Sequence, residues 1–278
     1  MKYLVVGGDE RAVFAAEELA KDNEVAALYL DKAALSEKVS RVSVVEPADC
    51  VLLPLPAEGK ACALNAPFAH YPVSAVSVLE ALPENTLVCG GKLSPALKAA
   101  AKKNSLKLFD IMQLPEFVAG NAAITAEAAV ALLMQRTDFS LFGSSVLVVG
   151  YGRIGRLLSH KLCALGVKTF VMSRKAESRA VAEALGCVSL APEDKLPRLD
   201  AVINTAPAIM LTNLSRISSP CLMLELASAP GGIDAAEAQR LGHKYFAAPG
   251  LPGKYAPRSA GKLIAEAVKR VVKENVHE

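Results

Sequence analysis

The chain has 278 residues, of which 52% are hydrophobic and 21% charged, enough for two domains that each bury a core. A net charge of +3, no block of like charges, no Trp and only 5% aromatic residues argue against a nucleic-acid surface. No apolar stretch nears the roughly 20 residues that span a bilayer, and the apolar run at Leu4–Val6 is short and soon meets charge, so neither a membrane span nor export is expected. These features predict a cytoplasmic globular protein.

In chain order, a β-rich run at Lys2–Val6 ends on Gly7-Gly8 and precedes a helical pattern over Arg11–Ala20. Further short apolar runs follow at Val25–Leu30, Cys50–Leu53, Thr86–Cys89 and Leu106–Phe109, most of them separated by helical patterns. The first half therefore reads as a parallel α/β sheet. The Ala-rich stretch Asn121–Thr137 places Ile124, Ala128, Ala131 and Leu132 at helical spacing and predicts a helix joining two domains. A second strand, glycine turn and helix begins at Ser145–Val149, turns at Gly150 and runs to about Leu165. Strand candidates recur at Lys168–Met172, Ala201–Asn204, Leu222–Leu226 and Lys244–Ala247, with a helix over Ala176–Leu185. The last stretch, Ala260–Lys273, is amphipathic and is compatible with packing on its own domain or crossing back to the first, and crossing back is the favoured reading.

The predicted fold is thus α/β: two doubly wound parallel-sheet domains of the Rossmann kind, joined by a long helix with a cleft between them. The expected division is residues 1–120, on the substrate side, and residues 121–278, on the cofactor side. Ligands in such sheets bind at the carboxyl ends of the strands.

The motif G-x-G-x-x-G is met by Gly150-Tyr151-Gly152-Arg153-Ile154-Gly155, between a Val-rich strand and an apolar helix. In that context the first glycine makes the tight turn, the second lets backbone approach a pyrophosphate, and the third lets the helix pack closely. The phosphates then face free N–H groups at a helix N-terminus. Cofactor choice is read about 20 residues on, where an NAD site carries Asp or Glu. This chain has Ser173-Arg174-Lys175 there, a hydroxyl and two cations suited to a 2′-phosphate, so NADP is the expected cofactor. Asn204-Thr205-Ala206-Pro207 and Leu226-Ala227, after the next strands, are expected beside the nicotinamide ribose.

Candidates for an acidic substrate are Ser228, together with Arg258 and Ser259 at the end of the Gly- and Pro-rich residues 248–261. In the first domain, Gly7-Gly8-Asp9-Glu10-Arg11 lacks the third glycine spacing, and Asp9 and Arg11 are candidates for the substrate wall. The cysteines Cys50, Cys62, Cys89, Cys163, Cys187 and Cys221 include no C-x-x-C pair. Nor do His70, His160, His243 and His277 form an H-E-x-x-H motif, so neither a metal nor a disulfide framework is expected. No Ser/His/Asp pattern emerges, and the catalytic group stays unassigned.

Together, Asn121–Ala128, Val149–Arg156, Leu226–Gly232, residues 248–261 and Val6–Arg11 resemble the A-subunit of dipicolinate synthase across nearly the whole chain. The Gly/Pro-rich stretch is the most specific part, and the match is loosest at Ala229 and Lys254. The resemblance implies a sporulation enzyme that forms pyridine-2,6-dicarboxylate together with the flavoprotein-like B-subunit of dipicolinate synthase. Its small dicarboxylate substrate is dihydrodipicolinate or the 4-hydroxy-tetrahydro precursor. Two other readings remain open: an NADP-dependent dehydrogenase of another small carboxylic acid, and a non-catalytic NADPH-binding regulatory subunit. Homo-oligomer formation is also left open.

Overall fold

The computed structural model describes residues 1–59, 62–228 and 230–275; Ala229 and His277, named above, lie outside them. The chain forms two units, residues 1–121 with 253–278, and residues 122–252.

In the first unit, β1 (Lys2–Val6), β2 (Glu24–Leu28), β3 (Val39–Arg41), β4 (Cys50–Leu52), β5 (Leu87–Gly90) and β6 (Lys107–Asp110) form a parallel sheet of order β3-β2-β1-β4-β5-β6. Strand period two divides its residues between two cores. Tyr3 and Val5 face one core, with α1 (Glu10–Leu19) and α9 (Pro257–Asn275); Leu4 and Val6 face the other, with α2 (Ala75–Glu80) and α3 (Pro95–Lys103). Helix α9 packs along α1, where a Cβ at Gly261 would lie 2.5 Å from the Phe14 Cβ, so only glycine permits that approach. Its buried stripe of Ile264, Ala267, Val268 and Val271 is the amphipathic face predicted for the C-terminal stretch.

The second unit repeats the plan. Its strands are β7 (Ser145–Val149), β8 (Lys168–Met172), β9 (Val188–Leu190), β10 (Ala201–Asn204), β11 (Leu222–Glu225) and β12 (Lys244–Ala247), all parallel, in the order β12-β11-β10-β7-β8-β9. Helices α5 (Arg153–Ala164) and α6 (Ala176–Ala184) follow β7 and β8, and α7 (Ala235–Arg240) precedes β12. Strand order reverses between β7 and β10, the switch point at which sheets of this kind bind ligands.

Four points differ from the sequence reading. The joining helix, α4 (Pro115–Arg136), starts six residues earlier than the Ala-rich pattern suggested, at a proline suited to a first helical position. Its 22 residues are long and apolar enough, by length and composition, to cross a bilayer, contrary to the sequence reading. Phe117, Ala122, Ala126, Ala129 and Leu133 on it are buried within the units, as in the core helix of a globular protein. Strands β3 and β9 escaped notice because each is a three-residue edge strand with a polar centre, Ser40 or Ser189. Finally, the Gly- and Pro-rich residues 248–261 contain helix that the sequence reading did not place: α8 (Leu251–Tyr255) forms there, with Pro252 tolerated in its first turn, and α9 begins at Pro257.

Candidate dinucleotide site

The site starts where β7 ends. Gly150 has φ +93°, its N–H donates to the Met172 carbonyl at 2.9 Å, and a Cβ there would lie 2.9 Å from Thr205 Oγ1. A Cβ on Gly155 would collide with the Gly150 carbonyl oxygen, so α5 can sit this close to the turn only with glycine. Gly152, the N-cap of α5, differs from both. Its backbone is extended, no side chain caps the helix, and a Cβ would meet nothing within 4 Å. The first N–H groups of α5 therefore open onto free space, with Arg153 and Arg156 and no carboxylate in the first turn. That combination of free donors, helix dipole and cations suits a pyrophosphate.

The rim is formed at the end of β8. Ser173 is buried and its hydroxyl accepts from the Lys175 N–H at 3.3 Å. Arg179 donates to the Ser173 and Arg174 carbonyls at 2.8 and 3.1 Å, which fixes the turn and leaves the Arg174 and Lys175 side chains exposed. Lys175 is also the N-cap of α6, without a side-chain capping bond. A cavity of about 470 Å³ joins these parts. It is lined by Gly150–Arg153, Arg156, Ser173–Lys175, Ser178, Thr205–Pro207 and Met210. None of these lining residues is Asp, Glu or His. The arrangement suits an anionic dinucleotide and offers no carboxylate or imidazole of its own.

Arg156, Ser178 and Met210 were missed in the sequence. Arg156 lies three residues after Arg153, on the same helix face, and helical spacing would have found it. Its guanidinium carbon sits 5.4 Å from the Tyr151 ring centroid, and its Nε donates to the Tyr151 carbonyl at 3.3 Å. Met210 comes to the cavity only through the fold of the loop after β10.

Five of the expected cofactor residues do not line the cavity; one is Gly155, buried against the Gly150 carbonyl. Ile154 is half-buried on α5, and Leu226 and Ala227 are half-buried after β11. Asn204 is fully buried: its Nδ2 donates to the Ala206 carbonyl at 2.8 Å and to Glu225 Oε1 at 2.7 Å, so it shapes the loop rather than touching a ligand. Glu225, overlooked in the sequence, is the centre of this arrangement. Oε1 also accepts from the Ala227 N–H at 2.9 Å, and Oε2 accepts from the Gly232 and Ile233 N–H groups at 2.8 and 3.0 Å. One buried carboxylate thus ties the loop after β10 to the loop after β11.

The matching turn of the first unit is closed. Gly8 has φ +98°, and Asp9 caps α1 by accepting from the Arg11 N–H at 3.0 Å. The Arg11 guanidinium returns to both Asp9 oxygens, at 2.9 Å each, and donates to the Leu55 carbonyl. Gly253 lies against this pair: a Cβ on it would be 3.0 Å from Arg11 Nε. The space left beside the turn is about 10 Å³, room for one water at most. Asp9 and Arg11 were expected to project as free substrate ligands; they are instead bonded to each other, because a carboxylate of the chain itself occupies the anion position of the helix. Arg258 and Ser259 are exposed at the start of α9 and line a different surface depression, with Lys38, Lys262, Glu17 and Glu18. Ser228, in the second unit, is exposed. His160 is exposed on α5, His243 is buried beside β12, and neither lines the cavity. Among the described residues no group of three or more His, Cys, Asp or Glu could hold a metal.

Two six-stranded units in Rossmann strand order, one with an open glycine turn and one with that turn closed, define a two-domain dehydrogenase-type oxidoreductase with an NAD(P) site in its second unit. Residues 2–112 match the model of the N-terminal domain of the dipicolinate synthase A-subunit, and residues 119–214 that of the D-isomer specific 2-hydroxyacid dehydrogenase NAD-binding domain. The chain belongs to the dipicolinate synthase A-subunit family: it is 31% identical over 201 residues to the A-subunit of dipicolinate synthase from Bacillus subtilis (strain 168), covering 70% of this chain and 68% of that protein. The crystal structure of the A-subunit from Bacillus halodurans superposes with a TM-score of 0.87 at 27% identity, over 98% of this chain and 97% of the other. The corresponding dipicolinate synthase crystal structure from Bacillus subtilis also gives 0.87 at 27%, over 100% and 98%. A transhydrogenase from Sinorhizobium meliloti, 14% identical with a TM-score of 0.72 over 98% and 94%, shares the fold.

Proposed function

We propose that this chain is the dinucleotide-binding subunit of a cytoplasmic dipicolinate synthase, oxidising dihydrodipicolinate, formed from 4-hydroxy-tetrahydrodipicolinate, to dipicolinate with NADP⁺. The observation that carries the cofactor half is the open turn at Gly152 facing a rim, Ser173-Arg174-Lys175, that holds no carboxylate. An NAD site would need an acceptor there for the ribose 2′-hydroxyl, whereas two cations and a hydroxyl suit a 2′-phosphate. Family membership supports the substrate half.

When bound, NADP⁺ supplies a hydride acceptor. The chain's own part is to orient. The α5 N-terminus with Arg153 and Arg156 holds the pyrophosphate, and Arg174 and Lys175 the 2′-phosphate. Thr205–Pro207, held by the Asn204–Glu225 bond, forms the wall on the nicotinamide side. A cavity without a carboxylate or imidazole is consistent with forming an aromatic ring, because the second hydrogen can leave as a proton to water and the driving force lies in the product. In the first unit, Arg258 and Ser259 keep exposed polar groups that suit a carboxylate, and in the second unit Ser228 keeps its own. Asp9 and Arg11 brace the first unit. The flavoprotein-like B-subunit of dipicolinate synthase is the expected partner.

The direct test is incubation of the cyclic precursor with NADP⁺ and this protein, alone and with the partner subunit. Dipicolinate and NADPH should appear together in at least one arm, and absence of both products in both arms rejects the reading. For cofactor choice, Arg174→Ala should weaken NADPH binding by about 10- to 100-fold, the weight of a charge-assisted hydrogen bond, and leave NADH nearly unchanged. Equal weakening of the two in a fluorescence titration would contradict the 2′-phosphate assignment.

A further inference from the structure

Two thiols meet beneath the dinucleotide site. Cys163 lies in the last turn of α5 and is half-buried, while Cys187, just before β9, is buried. Their sulfurs are 3.6 Å apart, and the Cys163 thiol also points to the Gly186 carbonyl at 3.9 Å. Bonded sulfurs lie about 2.05 Å apart, so a disulfide needs roughly 1.5 Å of approach, within reach of small side-chain rotations. Gly186 has φ +84° and open space where a Cβ would be, which leaves that turn free to adjust.

Their place in the fold gives the pair a consequence. The two cysteines bracket β8, the Ser173–Lys175 turn and α6, so a bond between them would close a covalent loop around the rim of the cavity. Cys187 also belongs to the same small apolar cluster as Tyr151, the residue between the first two glycines of the turn. Moving the sulfurs together therefore acts on both walls of the site from outside the cavity.

We propose that Cys163 and Cys187 form a reversible disulfide on exposure to a peroxide, and that this bond changes the glycine turn and lowers dinucleotide affinity. The affinity clause rests on the functional reading above; the bond does not. The more accessible Cys163 sulfur attacks the peroxide, the O–O bond breaks, and a sulfenic acid and one water form. The Cys187 sulfur then attacks the Cys163 sulfur, and the S–O bond breaks. The departing hydroxyl takes the Cys187 proton as a second water. Two electrons pass from the sulfurs to the peroxide. Burial, followed by the neighbouring Cys163 thiol, pushes the Cys187 thiol up to about 12, consistent with its acting second. Cys50 and Cys89 provide an internal reference: their sulfurs are 4.0 Å apart on β4 and β5, but both residues are fully buried, so peroxide should not join them.

Full-length protein treated with hydrogen peroxide, alkylated in the native state, digested and mapped by mass spectrometry should yield peptides joined through Cys163 and Cys187. They should be two hydrogens lighter than the free pair and be released by dithiothreitol. Amide exchange at residues 150–156 should differ between oxidised and reduced protein, a readout that needs no dinucleotide. The Kd for NADPH should rise about 5-fold or more on oxidation, and Cys163→Ser should remove every one of these responses. No joined pair, joining only in denatured protein, or a joined pair with unchanged exchange overturns the proposal. An unchanged Kd in a reduced protein that does bind NADPH overturns the affinity clause; a reduced protein that binds no NADPH rejects the functional reading, and mapping and exchange still decide the rest.

Discussion

Gly155→Ala is expected to weaken dinucleotide binding by about 100-fold or more, on the order of 3 kcal/mol. The new methyl would collide with the Gly150 carbonyl oxygen and also come within 3.1 Å of Thr205 Oγ1. Neither neighbour can yield cheaply. Gly150 is held by its bond to Met172, and Thr205 donates to the Val149 carbonyl at 3.0 Å. Helix α5 must therefore shift, which takes its N-terminal donors away from the phosphate position and strains the unit by about 1–3 kcal/mol. Gly152→Ala is the informative contrast. Its methyl meets no protein atom, so the urea midpoint should hold while NADPH binding falls, because the lost space belongs to the ligand. Equal stability and equal affinity for wild type and Gly155→Ala would remove the turn from the account.

Glu225→Ala should destabilise the second unit by about 3–5 kcal/mol, because it leaves several buried N–H donors without an acceptor. Its carboxylate is 5% exposed and accepts four N–H donors, one from Asn204 and three from the backbone of residues 227–233. Every partner is a donor, so the position matches a group that only accepts. Deleting it leaves those donors buried without a partner, each costing about 1–3 kcal/mol unless water enters. Glu225→Gln keeps the volume but turns one acceptor into a donor facing donors, and should recover only part of the loss. The expected readout is a lowered urea midpoint together with loss of NADPH binding, since the Thr205–Pro207 wall depends on the same bond. An unfolding free energy within about 0.5 kcal/mol of wild type in Glu225→Ala would show that the two loops are held otherwise.

Much of the fold was legible because its signals are local. Apolar runs such as Lys2–Val6, Ser145–Val149 and Ala201–Asn204 need only their own residues to read as buried parallel strands, and these three match the observed bounds. The edge strands at Val39 and Val188 carry no such run, since an edge buries less and its pairing comes from the neighbour. Helix α8 was hidden in Gly and Pro, which read as loop wherever the tertiary setting does not override them. Within the site, residues belonging to a motif were visible, while Glu225 was not, because a carboxylate at a strand end reads as solvent-facing until the loop to Ile233 folds over it.

Both units begin with a strand, two or three glycines and a helix, and that much is read from the sequence: the spacing of Gly150, Gly152 and Gly155 marks a dinucleotide turn, and the missing carboxylate at Ser173-Arg174-Lys175 sets the expectation of a 2′-phosphate. Only the tertiary structure decided that the corresponding turn at Gly7-Gly8 is shut. Asp9 fills its own helix N-terminus, Leu55 holds Arg11 over it, and Gly253 arrives from the far end of the chain to close the space. The difference is physical: whether a helix N-terminus is free to bind an anion depends on what distant segments bring to it.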